Sequence, residues 1–84
     1  MVNRNEVLVM EELLKKECSN KIKSLTINTL ADSIGVSYYS IRNTIRGLVI
    51  AEYCGVGLKK GRSETYYLTN KGINKIKELK ECNQ

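Results

Sequence analysis

Leu30-Ala31-Asp32-Ser33-Ile34-Gly35-Val36-Ser37 is the stretch that decides how this chain folds. Leu30 and Ile34 stand at i and i+4 with the small Ala31 beside them, so the three share one face of a helix. Gly35 follows, where a left-handed conformation is cheap only for glycine and ends the helix. Val36 is apolar, and Ser37 has the hydroxyl that an N-cap needs. One short segment thus specifies a helix end, a tight turn and the start of the next helix.

Downstream of that turn, Ile41, Ile45 and Leu48 continue an apolar stripe, with Tyr38 and Val49 at its margin. Tyr39, Ser40, Arg42, Asn43 and Arg46 occupy the other side. Leu48 completes the stripe, so the helix is expected to carry Gly47 and run on to about Ala51. Gly47 then costs about 1 kcal/mol relative to alanine. Tyr53–Leu58 alternates with period two, Lys59-Lys60-Gly61-Arg62-Ser63 reads as a turn, and Glu64–Leu68 returns as a second strand. In that strand Tyr66 and Leu68 are expected to face inward and Thr65 and Tyr67 outward. Thr69 caps a last helix whose apolar stripe is Ile73, Ile76 and Leu79.

Upstream, Asn28 is the expected cap of a helix over Thr29–Ile34, preceded by the β-prone Leu25-Thr26-Ile27 and a polar loop, Ser19–Ser24. Asn3 and Glu6 form a capping box for a first helix over about 4–18, with Val7, Met10, Leu14 and Cys18 at helical spacing. Glu11–Lys15 and Glu12–Lys16 are favourable i,i+4 pairs on its wet side.

The chain has 84 residues and a net charge of +5, enough for one domain, residues 1–84, with a small core. The charge is not spread evenly. Residues 37–63 carry Arg42, Arg46, Lys59, Lys60 and Arg62 against the single acid Glu52, while residues 1–36 hold five bases and five acids. Cations concentrated on a helix and the hairpin beside it suit an anionic partner such as a phosphate backbone. The chain contains no histidine, and its three cysteines, Cys18, Cys54 and Cys82, are far apart. That excludes the usual zinc spacings and the commonest general base, so neither a metal, a cofactor nor an enzymatic activity is expected. Reduced thiols, no run of 18 apolar residues and no apolar h-region after Met1-Val2-Asn3-Arg4 make a cytoplasmic protein without membrane contact the expectation.

The element order is helix, short strand, helix, tight turn, helix, hairpin, helix. It resembles the winged helix-turn-helix family of small MarR-, ArsR- and PadR-like regulators. Leu30–Ser37 resembles the signature "LAxxlGvs", Ser40–Leu48 the start of a recognition helix, and Gly61–Gly72 the second wing strand and following helix, "YxLTxxG". The likeness spans about residues 25–72. The Cys/His clusters of the ArsR-type metal sensors are absent, as are the long extra helices of larger relatives.

The resemblance implies an α+β, mostly α fold: a three-helix core, a β-hairpin wing and a C-terminal helix. It also implies sequence-specific binding to double-stranded DNA by a transcriptional regulator. The recognition helix, about 37–50, would enter the major groove, and the wing, 53–68, would lie on phosphates or the minor groove. Carried over by position, Tyr38, Tyr39, Ser40, Arg42, Asn43 and Arg46 are the helix candidates and Lys59, Lys60 and Arg62 the wing candidates. Tyr38 could equally bury its ring. Arg42 and Asn43 suit base edges, since arginine forks to guanine and asparagine pairs with adenine; Arg46 suits phosphate. Thr26 and Asn28 could touch phosphate but read first as a strand residue and a cap. A homodimer through the first and last helices fits the family. Two other readings stay open: a protein-docking winged helix, and a plasmid or viral replication, partition or architectural DNA-binding protein.

Overall fold

The computed structural model describes the backbone of residues 4–82 and the side chains of residues 4–80. The elements run α1 (Arg4–Lys15), β1 (Leu25–Thr26), α2 (Ile27–Ile34), α3 (Tyr38–Ile50), β2 (Cys54–Val56), β3 (Thr65–Leu68) and α4 (Asn70–Cys82). The expected order is the observed one, α+β and mostly helical, as in winged helices. Asn3 of the anticipated capping box lies outside the described residues. No helix among the described residues is long and apolar enough to cross a membrane.

The core is where the stripes converge. Val9, Met10 and Leu13 of α1, Leu30 of α2, Ile41, Ile45 and Leu48 of α3, and Ile76 of α4 are all fully buried. Burying each such side chain stabilises the fold by about 1.5–3 kcal/mol before entropy is counted. Ile73 and Leu79 are half-buried against this cluster, so the α4 stripe is engaged within the chain. Cys18 and Cys54 are buried and free, small apolar fillers as their surroundings suggest.

Two helices end on a glutamate in the left-handed region, a place that the residue type did not announce. Glu17 has φ 58° and Glu52 has φ 68°. At the first, Cys18 N–H donates to Leu13 O (2.9 Å) and Glu17 N–H to Leu14 O (3.1 Å). At the second, Tyr53 N–H donates to Leu48 O (2.9 Å) and Glu52 N–H to Val49 O (3.0 Å). Both are Schellman motifs, which satisfy the last carbonyls of the helix. The first stops α1 at Lys15, three residues before its expected end, and turns Cys18 inward. Of the two α1 ion pairs expected, Glu12–Lys16 closes at 3.3 Å.

The sheet has the order β1-β3-β2, antiparallel throughout. Leu25 and Thr26 pair with Tyr66 and Thr65, and Cys54–Val56 pair with Leu68–Tyr66. Pairing with β3 keeps Thr26 extended, and that moves the start of α2. Thr26, not Asn28, is the N-cap: its Oγ1 accepts from Thr29 N–H at 3.2 Å. Ser37 caps α3 as expected, and α3 carries Gly47 through to an Ala51 C-cap. Thr69 caps α4, its Oγ1 accepting from Gly72 N–H at 3.1 Å.

Candidate nucleic-acid interface

Helix α3 presents one side to the core and the other to solvent. Ser37 Oγ accepts from Ser40 N–H (3.3 Å) and donates to Ser40 Oγ (3.0 Å), so the helix starts with both hydroxyls engaged. Tyr38 is 42% and Tyr39 71% exposed, and their rings meet edge to face at 5.6 Å. The Tyr38 ring is therefore partly solvated rather than buried. Arg42, Asn43 and Arg46 are exposed along the same helix, and so is Ile50 at its end.

The wing is held at its base by side chains. Thr65 Oγ1 donates to Leu58 O and accepts from Ser24 Oγ at 2.8 Å. Thr65 is buried, contrary to the outward position expected for it. The reason is that β3 is the central strand, and the Ser19–Ser24 loop folds over it. Leu58 N–H donates to Lys21 O of that loop at 3.2 Å, which carries Leu58 out to 60% exposure. Further out, Lys60 and Ser63 exchange backbone hydrogen bonds of 2.8 and 3.1 Å around Gly61-Arg62. Gly61 has φ 64°, the positive first central residue of a type II′ hairpin turn, which glycine adopts without strain.

Helix and wing face each other across a concavity of about 640 Å³. Arg42 and Arg46 line it from α3, Lys59 and Arg62 from the wing, and Thr26, Ile27 and Asn28 from the start of α2. Tyr38, Ser63, Glu64 and Tyr66 complete the lining. Four of the five cations singled out in the sequence thus share one surface. Tyr39, Ser40, Asn43 and Lys60 stand outside the concavity. Among the described residues the only ion pairs are Lys16–Glu12 and Lys71–Glu52, so none of the five cations is neutralised by a carboxylate. Unpaired guanidinium and ammonium groups around a concave surface focus positive potential there.

Glu64 and Tyr66 line this surface too and are not among the site residues expected from the sequence. Glu64 is an acid amid the cations, and Tyr66 Oη donates to Glu64 Oε2 at 3.3 Å. Burial pushes the Tyr66 phenol up from its ordinary value, and the neighbouring Glu64 carboxylate pushes the same way. The available signal is their i,i+2 spacing, Glu64 just before β3 and Tyr66 within it, which puts both on one face of an extended chain. No cluster of His, Cys, Asp and Glu among the described residues could hold a metal ion.

No family model matches the sequence. The chain is 32% identical over 78 residues to the DNA-binding protein TubR of Clostridium botulinum C phage, covering 93% of this chain and 96% of that one. The solution structure of the DNA-binding TubR fragment from Clostridium botulinum superposes with a TM-score of 0.76 at 32% identity, over 94% of this chain and 98% of the fragment. TubR from Bacillus megaterium pBM400 gives 0.83 at 20% identity, over 93% and 86% of the two chains. MepR of Staphylococcus aureus, a transcription regulator of the multidrug efflux pump MepA, gives 0.82 at 16% identity, over 96% of this chain but 57% of MepR. The latter two likenesses speak for the fold; the first, at nearly a third identity along almost the whole of both chains, speaks for descent. The chain belongs to the TubR family and has its winged-helix fold.

Proposed function

We propose that this protein binds double-stranded DNA sequence-specifically, as a transcriptional regulator. One observation carries the reading: Arg42, Arg46, Lys59 and Arg62 stand without carboxylate partners around one concavity between α3 and the wing. A duplex presents two lines of phosphate that such a surface complements. Helix α3 lies in the major groove, with Arg42 and Asn43 at base edges and Arg46 on phosphate. Tyr38, Tyr39 and Ser40 approach the backbone or a thymine methyl from the N-terminal turn. Lys59, Lys60 and Arg62 hold phosphates or the minor groove from the wing. Membership of a family whose curated relative is a DNA-binding protein supports the same reading.

The protein acts as a homodimer through α1 and α4, each copy supplying one recognition helix. Selection of bound duplexes from a random pool, with the solution mass measured alongside, tests both statements. An enriched motif with two-fold symmetry and a mass of twice the chain is expected. No shift of any duplex at low salt and tens of micromolar protein would overturn DNA binding and favour a docking role. The phage origin of the curated relative favours a second reading, service on a phage or plasmid replicon. The selected motif decides between them: copies in tandem array point to the replicon, and single copies ahead of genes to transcription.

A further inference from the structure

We infer that Glu64 is a specificity-determining residue of this surface, accepting a hydrogen bond from the exocyclic amine of one base. The inference rests on the DNA-binding reading above. Glu64 is the one acid lining a concavity that also holds Arg42, Arg46, Lys59 and Arg62. It is exposed, and the described residues give it no ion pair with those cations. Its carboxylate is oriented by the Tyr66 hydroxyl at 3.3 Å. It is therefore a free negative charge held on a surface otherwise fitted to phosphate.

The chemistry of the partner narrows what such a group can do. An ionised carboxylate only accepts hydrogen bonds. Duplex DNA offers few donors: phosphate and deoxyribose have none, and the bases show only exocyclic amines in the grooves. These are cytosine N4 and adenine N6 in the major groove and guanine N2 in the minor groove. Everywhere else on the duplex Glu64 meets negative charge and repels it. At a base step that turns an amine toward it, the repulsion is offset by a charge-assisted hydrogen bond. Glu64 thus weakens binding to unrelated sequence and restores it at the right one, which is how an unpaired charge creates selectivity.

The experiment uses the whole chain and the duplex obtained by site selection. Glu64→Ala is expected to bind random duplex about three- to tenfold more tightly at low salt, and to narrow the ratio of selected to random affinity by about tenfold. Glu64→Gln, which keeps an acceptor oxygen without the charge, is expected to show the same rise on random duplex with a smaller loss of preference. The amine is then found by deleting it: inosine for guanine removes N2, purine for adenine removes N6, and pyrimidin-2-one for cytosine removes N4. One such deletion should cost the wild-type protein about tenfold and Glu64→Ala less than twofold. A wild-type protein that binds while Glu64→Ala keeps the same ratio would overturn the inference alone. So would a set of amine deletions that both proteins feel equally. A wild-type protein that shifts no duplex would overturn the DNA-binding reading, and this one with it. Thermal melts of the variants, expected to coincide because Glu64 is exposed, separate binding from folding.

Discussion

Gly72 packs directly on the carbonyl of Tyr53: a Cβ at Gly72 would stand 2.1 Å from that oxygen and 2.7 Å from Leu68 Cδ1. The contact seats the first turn of α4 on the junction between α3 and β2. Thr69 fastens the same corner, its N–H donating to Tyr53 O at 3.1 Å and its Oγ1 to Glu52 O at 2.6 Å. Because α3 and the wing diverge from this junction, it governs how the two cationic elements face each other.

Gly72→Ala should therefore be strongly destabilising. Helix propensity alone would favour alanine by about 1 kcal/mol. The Cβ, however, meets backbone, which cannot step aside as a side chain would. Overpacking of this kind costs about 1–3 kcal/mol or more. A net loss of about 2 kcal/mol or greater is expected in urea unfolding. Unchanged stability would mean that α4 can lift off this corner.

Gly47 is the opposite case. It lies inside α3, and a Cβ there would find nothing within 4 Å. Gly47→Ala should gain up to about 1 kcal/mol, which in a domain of this size raises the melting temperature by about 4–8 °C. A melting temperature that falls would show a neighbour absent from the described contacts.

These two glycines look alike in the sequence, and only the fold separates them. Much else was legible. The Leu30–Ser37 turn, the Ser37 and Thr69 caps, the α3 and α4 stripes and the cationic run all depend on local spacing, and all are seen. In α1 the core takes Val9, Met10 and Leu13, and Val7 and Leu14 of the expected stripe are only half-buried. What escaped depends on partners distant in sequence. Thr26 replaces Asn28 as a cap because β3 holds it extended. Thr65 is buried because the Ser19–Ser24 loop covers it. Glu17 ends α1 because Cys18 must turn inward, where its carbonyl accepts from Leu68 N–H at 2.7 Å. In the candidate site, the cations are legible because they cluster in residues 37–63. Glu64 passed unnoticed because one acid in a basic stretch looks like ordinary solvation until Tyr66 is seen to hold it.

Arg42 and Lys60 should separate base reading from phosphate holding. Arg42 lines the concavity, whereas Lys60 flanks the hairpin turn outside it. Arg42→Ala is expected to relax preference at one base position, by about 1–3 kcal/mol of discrimination. Lys60→Ala should weaken all duplexes alike and reduce the slope of log K against log salt by about one. Binding isotherms at several salt concentrations on selected and random duplex check both. Equal loss of preference from the two substitutions would end this division of labour.

Cys54 gives the fold a weakness at alkaline pH. The thiol is 2% exposed, and burial pushes it from 9.0 up to about 12. In the unfolded chain it ionises near its ordinary value, so above pH 9 the unfolded state has lost a proton that the native state retains. Stability then falls as pH rises, because the state that binds fewer protons is favoured. The window is pH 9 to about 12, the limiting slope about 1.4 kcal/mol per pH unit for this one group. The measurement is a difference, so that whatever else in the chain responds to pH is common to both proteins. Urea unfolding of wild type and Cys54→Ala should give parallel stabilities below pH 8 and converge as the pH climbs past 9. Cys18, whose thiol burial also raises, is present in both and cancels. Parallel curves up to pH 11 would show that Cys54 ionises in place, which requires water to reach the seam between β2 and the core.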